Sequence, residues 1–507
     1  MSDPEADADF AAVFGDVTKL GGPADVIETH AARVFLCGSR AFKMKKPVDL
    51  GFLDFSSRQK RYAALKAELD LNRPAAPQLY RALTWIKRRG DGTLGLGGPG
   101  EAVEPVLEMA RFDQDQLLDR LALAGQVDGP LARDLADAVF ESHARARRAG
   151  GGDGGGGARR IREVLRDAAR RCRAQPGAPS RRIDHLAKGL DARLAASADL
   201  LDARARAGFV RRCHGDLHLN NIVRLAGRPV VFDALEFDEA LATTDTLYDL
   251  AFVVMDLTHR GLGAAAAALV SQYAARLEGE TAVRGLALLP AFCGVRALVR
   301  ALVSYQRAGH GDVQAAEAYL TLAERCAAPP SAQIVGVGGL SGTGKSTLAE
   351  ALAPGLGAPP GAVVIRADLE RKVLEGVAWR EDLPKSAYTR EASRQVYDRQ
   401  RDKARWAASA SGSVIVDAVH SRADERAALE DVARAAGAQF LGLWLEAESA
   451  VIRERVAARR ADPSDADLEV VARQAGYDPG DIGWTRLNAS KGAAGVLNAA
   501  RRAAGLV

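Results

Sequence analysis

Residues 333–352 read QIVGVGGLSGTGKSTLAEAL, and the stretch from Gly339 to Ser346 fits the spacing G-x-x-x-x-G-K-[ST]. Gly339, Gly342 and Gly344 let backbone N–H groups turn inward around a chain of phosphates. Lys345 brings a point charge to the outer phosphate oxygens, and the Ser346 hydroxyl suits a Mg²⁺ ion. An apolar run, 334–337, leads into the loop. A helical pattern over 346–356 follows, so a helix N-terminus would face the phosphates. Ser341, Thr343 and Thr347 complete the expected ATP-binding set.

Working outward, short β-branched or apolar runs recur at 333–338, 362–366, 413–416 and 440–445, separated by helical patterns. That alternation predicts an α/β domain built on a parallel sheet covered on both faces. Two acids follow strand ends, where ligands bind in such sheets: Asp368 and Asp417. Asp417 is expected to serve Mg²⁺, and Asp368 is a candidate acceptor of a substrate hydroxyl proton. The alternative for each is a helix-capping or exposed turn acid. Arg371 and Lys372 follow one turn on, as an anion site or a solvated helix face. Arg455 and Arg459 share one helical face, with Arg460 beside them and the polar run DPSDAD (462–467) after. They read either as an Arg-bearing lid over the terminal phosphate or as an ordinary charged surface helix.

GLSGTGKS, IRADLERK (365–372), VIVDAVH (414–420) and ARRADPSDAD together resemble the small bacterial P-loop kinases, a group that includes gluconate-kinase-like, zeta-toxin-like and polynucleotide-kinase-like proteins. The resemblance covers about 170 residues. It implies ATP-dependent phosphorylation of a hydroxyl rather than motor or ring activity.

The first part of the chain carries a second constellation. Residues 214–238 read HGDLHLNNIVRLAGRPVVFDALEFD, in which His214, Asp216 and Asn221 have the spacing H-x-D-x-x-x-x-N of a kinase catalytic loop. There the Asp accepts the acceptor's proton and the Asn ligates Mg²⁺. Asp233 ends the following strand-like run, where a second metal-binding acid belongs. Upstream, the runs 32–37 and 41–45 read as a hairpin turning at Gly38-Ser39-Arg40, followed by a helix over 57–71 and strands over 81–87 and 102–110. Helical patterns fill 114–205 and most of the chain from there to 325, with short strands at 222–223 and 230–232. Lys43 and Lys45 share one strand face. Lys43 is preferred as the phosphate-binding residue, which leaves Lys45 solvated or facing substrate. Glu68 on the helix is its candidate partner, and Val106–Met109 is the expected adenine-holding hinge. No G-x-G-x-x-G precedes Lys43.

HGDLHxxN, with His218 included, resembles the aminoglycoside-phosphotransferase-like kinases. The stretch ETHAARVFLCGSRAFKMKKPVDLGFLDFS (28–56) and LDLNR (69–73) resemble a bacterial group that fuses such a kinase to a P-loop kinase. The resemblance spans nearly the whole chain. It implies an α+β, protein-kinase-like two-lobe domain followed by the α/β P-loop domain. The domain division expected is 1–325, a linker at 326–332 (CAAPPSA, where Pro329-Pro330 stops a helix), and 333–507. The run GGGDGGGG (150–157) reads as a loop within the first domain.

Composition constrains the rest. In 507 residues, 69 Lys+Arg oppose 65 Asp+Glu, a net charge of +4 that gives no electrostatic case for nucleic acid. Five scattered cysteines with no C-x-x-C exclude a zinc ribbon and fit a reducing, cytoplasmic setting. The acidic N-terminus is no secretory signal, and the most apolar run, 285–295, reads as a core helix rather than a membrane span. His30 and His143 are expected to be structural. The function expected is a bifunctional kinase using ATP and Mg²⁺ on small-molecule hydroxyls, with no nucleic-acid or membrane partner. Two alternatives stand beside it: one catalytic domain regulated by a nucleotide-sensing partner, and a nucleic-acid 5′-end kinase in the second half.

Overall fold

The computed structural model describes residues 13–14, 25–29, 31–49, 54–150, 157–306, 312–458, 462–474 and 476–506. Arg459, Arg460, His30, and residues 151–156 of the glycine run lie outside the described residues. The chain forms two compact units. One holds the residues up to 124 together with 212–243, and the other holds 125–211 together with 244 onward. Residues 326–332 lie within the second unit.

The first unit is built on a six-stranded antiparallel sheet: β1 (Asp25–Glu28), β2 (Ala32–Cys37), β3 (Arg40–Lys45), β4 (Tyr80–Arg88), β5 (Leu94–Leu96) and β6 (Glu101–Ala110), in the order β1-β2-β3-β6-β4-β5. Gly38 turns the β2–β3 hairpin with φ +54°, a conformation that favours glycine. One sheet face packs Leu36, Leu107 and Met109 against Leu65 and Leu69 of the helix Arg58–Asn72. The other packs Phe35, Phe42, Ile86 and Val106 around Phe14, whose ring stacks on Phe35 at 4.3 Å. Ser57 caps the helix by accepting the Lys60 N–H. The buried stripe of that helix is Leu65, Glu68, Leu69 and Asn72, so two polar side chains enter the core and must find partners there.

Between the units' sequence segments run short strands, β7 (Val210–Arg212) and β10 (Thr243–Asp245). In the first unit β8 (Ile222–Leu225) and β9 (Arg228–Val231) form a hairpin whose turn residues, Ala226 and Gly227, both have positive φ.

The second unit joins a helical body to an α/β sheet. In the helical body the helix Thr246–His259 is buried on nearly every side, and Arg204 makes two 2.7 Å bonds to the Asp245 carboxylate beneath it. One helical run, Glu280–Gln306, is long and apolar enough to cross a membrane, but 72% of its most apolar stretch is buried inside the molecule. It is a core helix. The sheet has β11 (Gln333–Gly339), β12 (Val363–Arg366), β13 (Ser413–Asp417), β14 (Gln439–Glu446) and β15 (Thr485–Asn488) in the order β12-β13-β11-β14-β15, all parallel. The phosphate-loop strand is central. Val335, Val337, Leu352, Ile415 and Leu443 form the core beneath it. A side chain at Gly442 would meet Trp484 at 2.2 Å, so the indole lies directly on backbone. The helix Val313–Ala327 runs two residues into the segment read as linker, and the helix Gly157–Arg173 starts on the last glycine of the glycine run.

Candidate active site

In the first unit, Glu68 is fully buried. A buried carboxylate without partners would cost several kcal/mol. Residues two apart on β3 meet it. Lys43 Nζ lies 2.7 Å from Glu68 Oε1, and Lys45 Nζ lies 2.7 Å from Oε2. Lys43 also donates to Asp233 Oδ1 at 2.6 Å, and Lys45 to Glu236 Oε1 at 2.5 Å. The expectation that Lys45 is solvated is therefore corrected: its side chain is 5% exposed and carries its own carboxylate pair. Burial alone would lower the Lys43 ammonium, but Asp233 and Glu68 hold it well above its ordinary value. Withdrawal from water raises the Asp233 carboxyl, but Lys43 and Lys45 outweigh it and hold it low. Lys43 and Asp233 are therefore both charged at neutral pH.

The second buried polar residue of that helix orders the loop at Asp233. Asn72 Nδ2 donates to Glu68 O at 2.9 Å, while its Oδ1 accepts the Ala234 N–H at 2.8 Å. The Tyr80 hydroxyl accepts the Asp233 N–H at 3.0 Å. These contacts hold Asp233 at φ +61°, a region that Asp tolerates better than most residues.

The loop after β7 is fixed from its backbone outward. His214 Nε2 bonds to Phe232 O at 2.9 Å, and the Asp216 N–H donates to His214 Nδ1 at 3.3 Å, so the proton sits on Nε2. Gly215 has φ +84°, and a Cβ there would lie 2.9 Å from Ala242 Cβ. Asn221 Nδ2 donates to Asp216 O at 2.9 Å and to its Oδ2 at 3.3 Å. That commits the amide nitrogen and leaves the amide oxygen to ligate. His218 Nε2 lies 3.4 Å from Asp216 Oδ2. An Asn oxygen and an Asp carboxylate form the all-oxygen donor set that Mg²⁺ prefers.

The expected hinge is not one. Residues 106–109 lie in the C-terminal half of β6, paired with β4 along their length and with β3 at 107–109, so their main-chain groups are engaged in the sheet. Chain free of the sheet begins after Ala110.

In the second unit, Gly339, Gly342 and Gly344 take φ of +134°, +83° and +94°, and the helix Lys345–Leu352 starts directly behind them. Lys345 Nζ and Thr343 Oγ1 both donate to Leu340 O, at 2.9 and 2.8 Å. Asp417 ends β13 opposite Val337, two residues before Gly339, and the Ser346 hydroxyl bonds to its carboxylate. Hydroxyl and carboxylate oxygens again suit Mg²⁺. Burial pushes the Asp417 carboxyl up, opposed by Arg366 and Lys345. The loop opens on a cleft of about 1690 Å³ that Thr347, Asp368, Arg371, Tyr388, Asp417 and Arg455 help to line.

Over 472 residues the chain is 32% identical to the protein Rv2004c of Mycobacterium tuberculosis, covering 90% of this chain and 91% of that one; Mb2027c of Mycobacterium bovis matches equally. The chain belongs to their family. Residues 52–286 match a model described as the phosphotransferase enzyme family, and residues 334–477 one described as an AAA domain. The first segment is an aminoglycoside-phosphotransferase-like kinase domain and the second a P-loop kinase-like domain. Solved structures similar in fold include a choline/ethanolamine kinase family protein from Mesorhizobium loti, at TM-score 0.40 and 13% identity over 64% of this chain and 95% of that one. Others are the aminoglycoside phosphotransferase APH(3'')-Id of Streptomyces rimosus (0.34, 20%, 59% and 99%) and the APS kinase CysC of M. tuberculosis (0.26, 22%, 35% and 98%).

In this family member several side chains around the P-loop cleft are engaged within the chain. Arg455 donates to Thr343 O at 3.2 Å and Ala489 O at 2.8 Å, tying the loop to the residues after β15. Gln474 Oε1 accepts the Ser341 N–H at 2.8 Å, so a side chain already occupies one loop amide. Lys372 is buried and paired with Asp465, which also accepts from Tyr388 Oη at 2.7 Å. The solvated-face reading of Lys372 is thus excluded, and Lys372 has no free charge for a ligand anion. Arg371 is buried as well and lies over the Tyr388 ring at 4.8 Å. His143 bonds Tyr273 at 2.8 Å and Asp249 at 3.1 Å, both ring nitrogens engaged.

Asn72, Tyr80, Arg366 and Gln474 escaped sequence reasoning, because none belongs to a spaced motif; Lys45 and Glu236 were singled out, Glu236 with Asp238 as support for the metal site or substrate cleft, but their pairing with each other was not foreseen. The available signal was weak: a buried-face Glu and Asn on an otherwise apolar helix stripe.

Proposed function

We propose that the chain is a bifunctional ATP-dependent kinase, in which two segments each transfer the γ-phosphoryl group of ATP to a hydroxyl of a small molecule. The observation that carries this reading is the pairing of Lys43 with both Glu68 and Asp233, beside an Asp216 fixed by Asn221. In the first segment Asp216 accepts the acceptor's proton as its oxygen bonds to the γ-phosphorus and the bond to the bridging oxygen of ADP breaks. Lys43 leaves Asp233 to clamp phosphate oxygens. Adenine contacts fall to the chain that follows Ala110. In the second segment the loop from Gly339 to Ser346 and Lys345 hold the nucleotide, and Asp368, in the first turn of the helix Ala367–Leu374, takes the acceptor's proton. Mg²⁺ would be held by Asn221 and Asp233 in the first segment and by Ser346 and Asp417 in the second, where it offsets charge on the β- and γ-oxygens.

The functional division falls at residues 326–332. The near-balanced charge supports small-molecule rather than nucleic-acid acceptors, and a cytoplasmic location suits ATP and five unbridged cysteines. A second reading, in which one segment senses nucleotide and gates the other, draws support from an ion pair between Arg133 and Glu350 that joins the two family matches.

The test is to incubate the full chain with [γ-³²P]ATP and a metabolite extract. Asp216→Asn is expected to lower labelling of one acceptor set by about 10²- to 10⁴-fold with nucleotide affinity kept. Lys345→Ala is expected to abolish labelling of the other. Labelling unchanged in Asp216→Asn would refute the base assignment.

A further inference from the structure

Glu350 lies one turn after Ser346 on the helix Lys345–Leu352. Its Oε1 accepts from two guanidinium groups. One is Arg366 Nη1, at 3.1 Å; the other is Arg133 Nη2, from the helix Gly129–Arg145. Arg133 is 3% exposed and belongs to the phosphotransferase-family match, whereas Glu350 and Arg366 belong to the AAA-domain match. Arg366 ends β12, is fully enclosed, and divides its remaining charge between two more carboxylates. Its Nε lies 3.5 Å from Asp417 Oδ2 and its Nη2 lies 3.4 Å from Asp462 Oδ1. A continuous run of ion pairs therefore leads from Arg133 to Asp417.

The charges in this run compete. Three carboxylates share two guanidinium groups in surroundings that screen poorly. Arg133 supplies part of the counter-charge for Glu350, which leaves Arg366 divided among Glu350, Asp417 and Asp462. Without Arg133, Glu350 keeps Arg366 as its one partner and draws that guanidinium away from Asp417. Other polar contacts hold the same two segments together without touching the nucleotide loop. Trp379 Nε1 donates to Asp134 Oδ1 at 3.1 Å, and Lys403 Nζ donates to Ala274 O and Ala275 O at 2.9 Å each. Docking therefore does not hang on Arg133, and its contact with Glu350 has a separate consequence.

We propose that Arg133 is a positioning residue for the P-loop nucleotide site, acting through Glu350 and Arg366 on Asp417, so that metal–nucleotide binding by one segment depends on a side chain of the other. The proposal rests on the reading of that site as a magnesium–nucleotide site.

The experiment uses the full chain carrying Asp233→Asn, so that Mn²⁺ enters the P-loop site alone, and reads Mn²⁺ affinity by electron paramagnetic resonance in the presence of a non-hydrolysable ATP analogue. Arg133→Ala is expected to weaken Mn²⁺ binding about tenfold, and Arg133→Lys to recover most of it. Adding Glu350→Gln to Arg133→Ala removes the stray carboxylate and is expected to return the affinity to within about threefold of the parent. Asp134→Asn, which removes the ion pair with Arg380 and weakens the Trp379 contact without touching Glu350, is expected to leave it unchanged. Affinity unaltered in Arg133→Ala, no recovery with Glu350→Gln, or an equal loss in Asp134→Asn would overturn the proposal. A parent that binds no Mn²⁺–analogue, or binds it undiminished by Lys345→Ala, removes the P-loop reading itself and the proposal with it.

Discussion

Glu68 gives each of its oxygens to a different lysine, and each lysine carries that charge on to a further acid, Asp233 or Glu236. Removing such a carboxylate leaves each of two buried ammonium groups with one acid in place of two. Glu68→Ala is therefore expected to destabilise the first unit by about 3 kcal/mol or more, read as a fall in its urea midpoint. His420 makes the opposite kind of prediction. Burial holds its imidazole down to about 3, against an ordinary 6.5, so the folded chain keeps it neutral. Below pH 6.5 the unfolded chain takes up a proton that the folded chain refuses. The stabilisation is complete above that pH and is lost as pH falls toward 3, by about 1.4 kcal/mol per unit. His420→Asn is expected to remove that component of the slope between pH 6.5 and 5, followed by tryptophan emission, since Trp484 lies against the ring at 5.3 Å. An unchanged slope would contradict it. At this scale legibility followed spacing. His214, Asp216 and Asn221 are local in sequence, and so are Lys345 and Ser346, so they could be singled out directly. Asn72 could not, because its partner Ala234 stands 162 positions away and only the fold brings the two together.

Strands were legible wherever they were long or apolar. The β2–β3 hairpin, β4, β6 and β11 to β14 stand within a residue or two of the segments read from the sequence. The strands β1 and β15 did not announce themselves: β1 is exposed throughout, and β15 is a polar edge strand with one buried residue. Pairing, too, is invisible in a single strand. Nothing in the run 106–109 reveals that β4 and β3 engage its main chain, and for that reason the hinge assignment failed. The phosphate loop makes a sharper demand on its element. Gly342 combines φ +83° with a would-be Cβ 2.8 Å from Ile452 Cγ2 and 2.9 Å from Val456 Cγ2. Gly342→Ala must either distort the loop or displace the helix Ser449–Ala458. It is expected to abolish ATP-analogue binding at this site while leaving binding at the first site intact. Retained binding at both would show that the loop tolerates a side chain there.

The whole chain combines two kinase-like architectures, an antiparallel sheet with a catalytic loop and a parallel sheet with a phosphate loop. Its charge is nearly balanced, and its five cysteines are buried and unbridged. Burial pushes the Cys172 thiol up to about 11 and the Cys326 thiol up to about 12, so neither is a thiolate at neutral pH. That there are two architectures was readable from two motifs and their flanking patterns. How Arg133 reaches Glu350 across 217 positions was not, since ion pairs between distant segments leave no mark on spacing. The most direct measurement is the number of magnesium–ATP-analogue complexes bound per full chain, by native mass spectrometry and calorimetry, in the parent, Lys345→Ala, Lys43→Ala and the double variant. The account predicts two, one, one and none. A parent that binds a single complex, lost in one variant and untouched in the other, would contradict it.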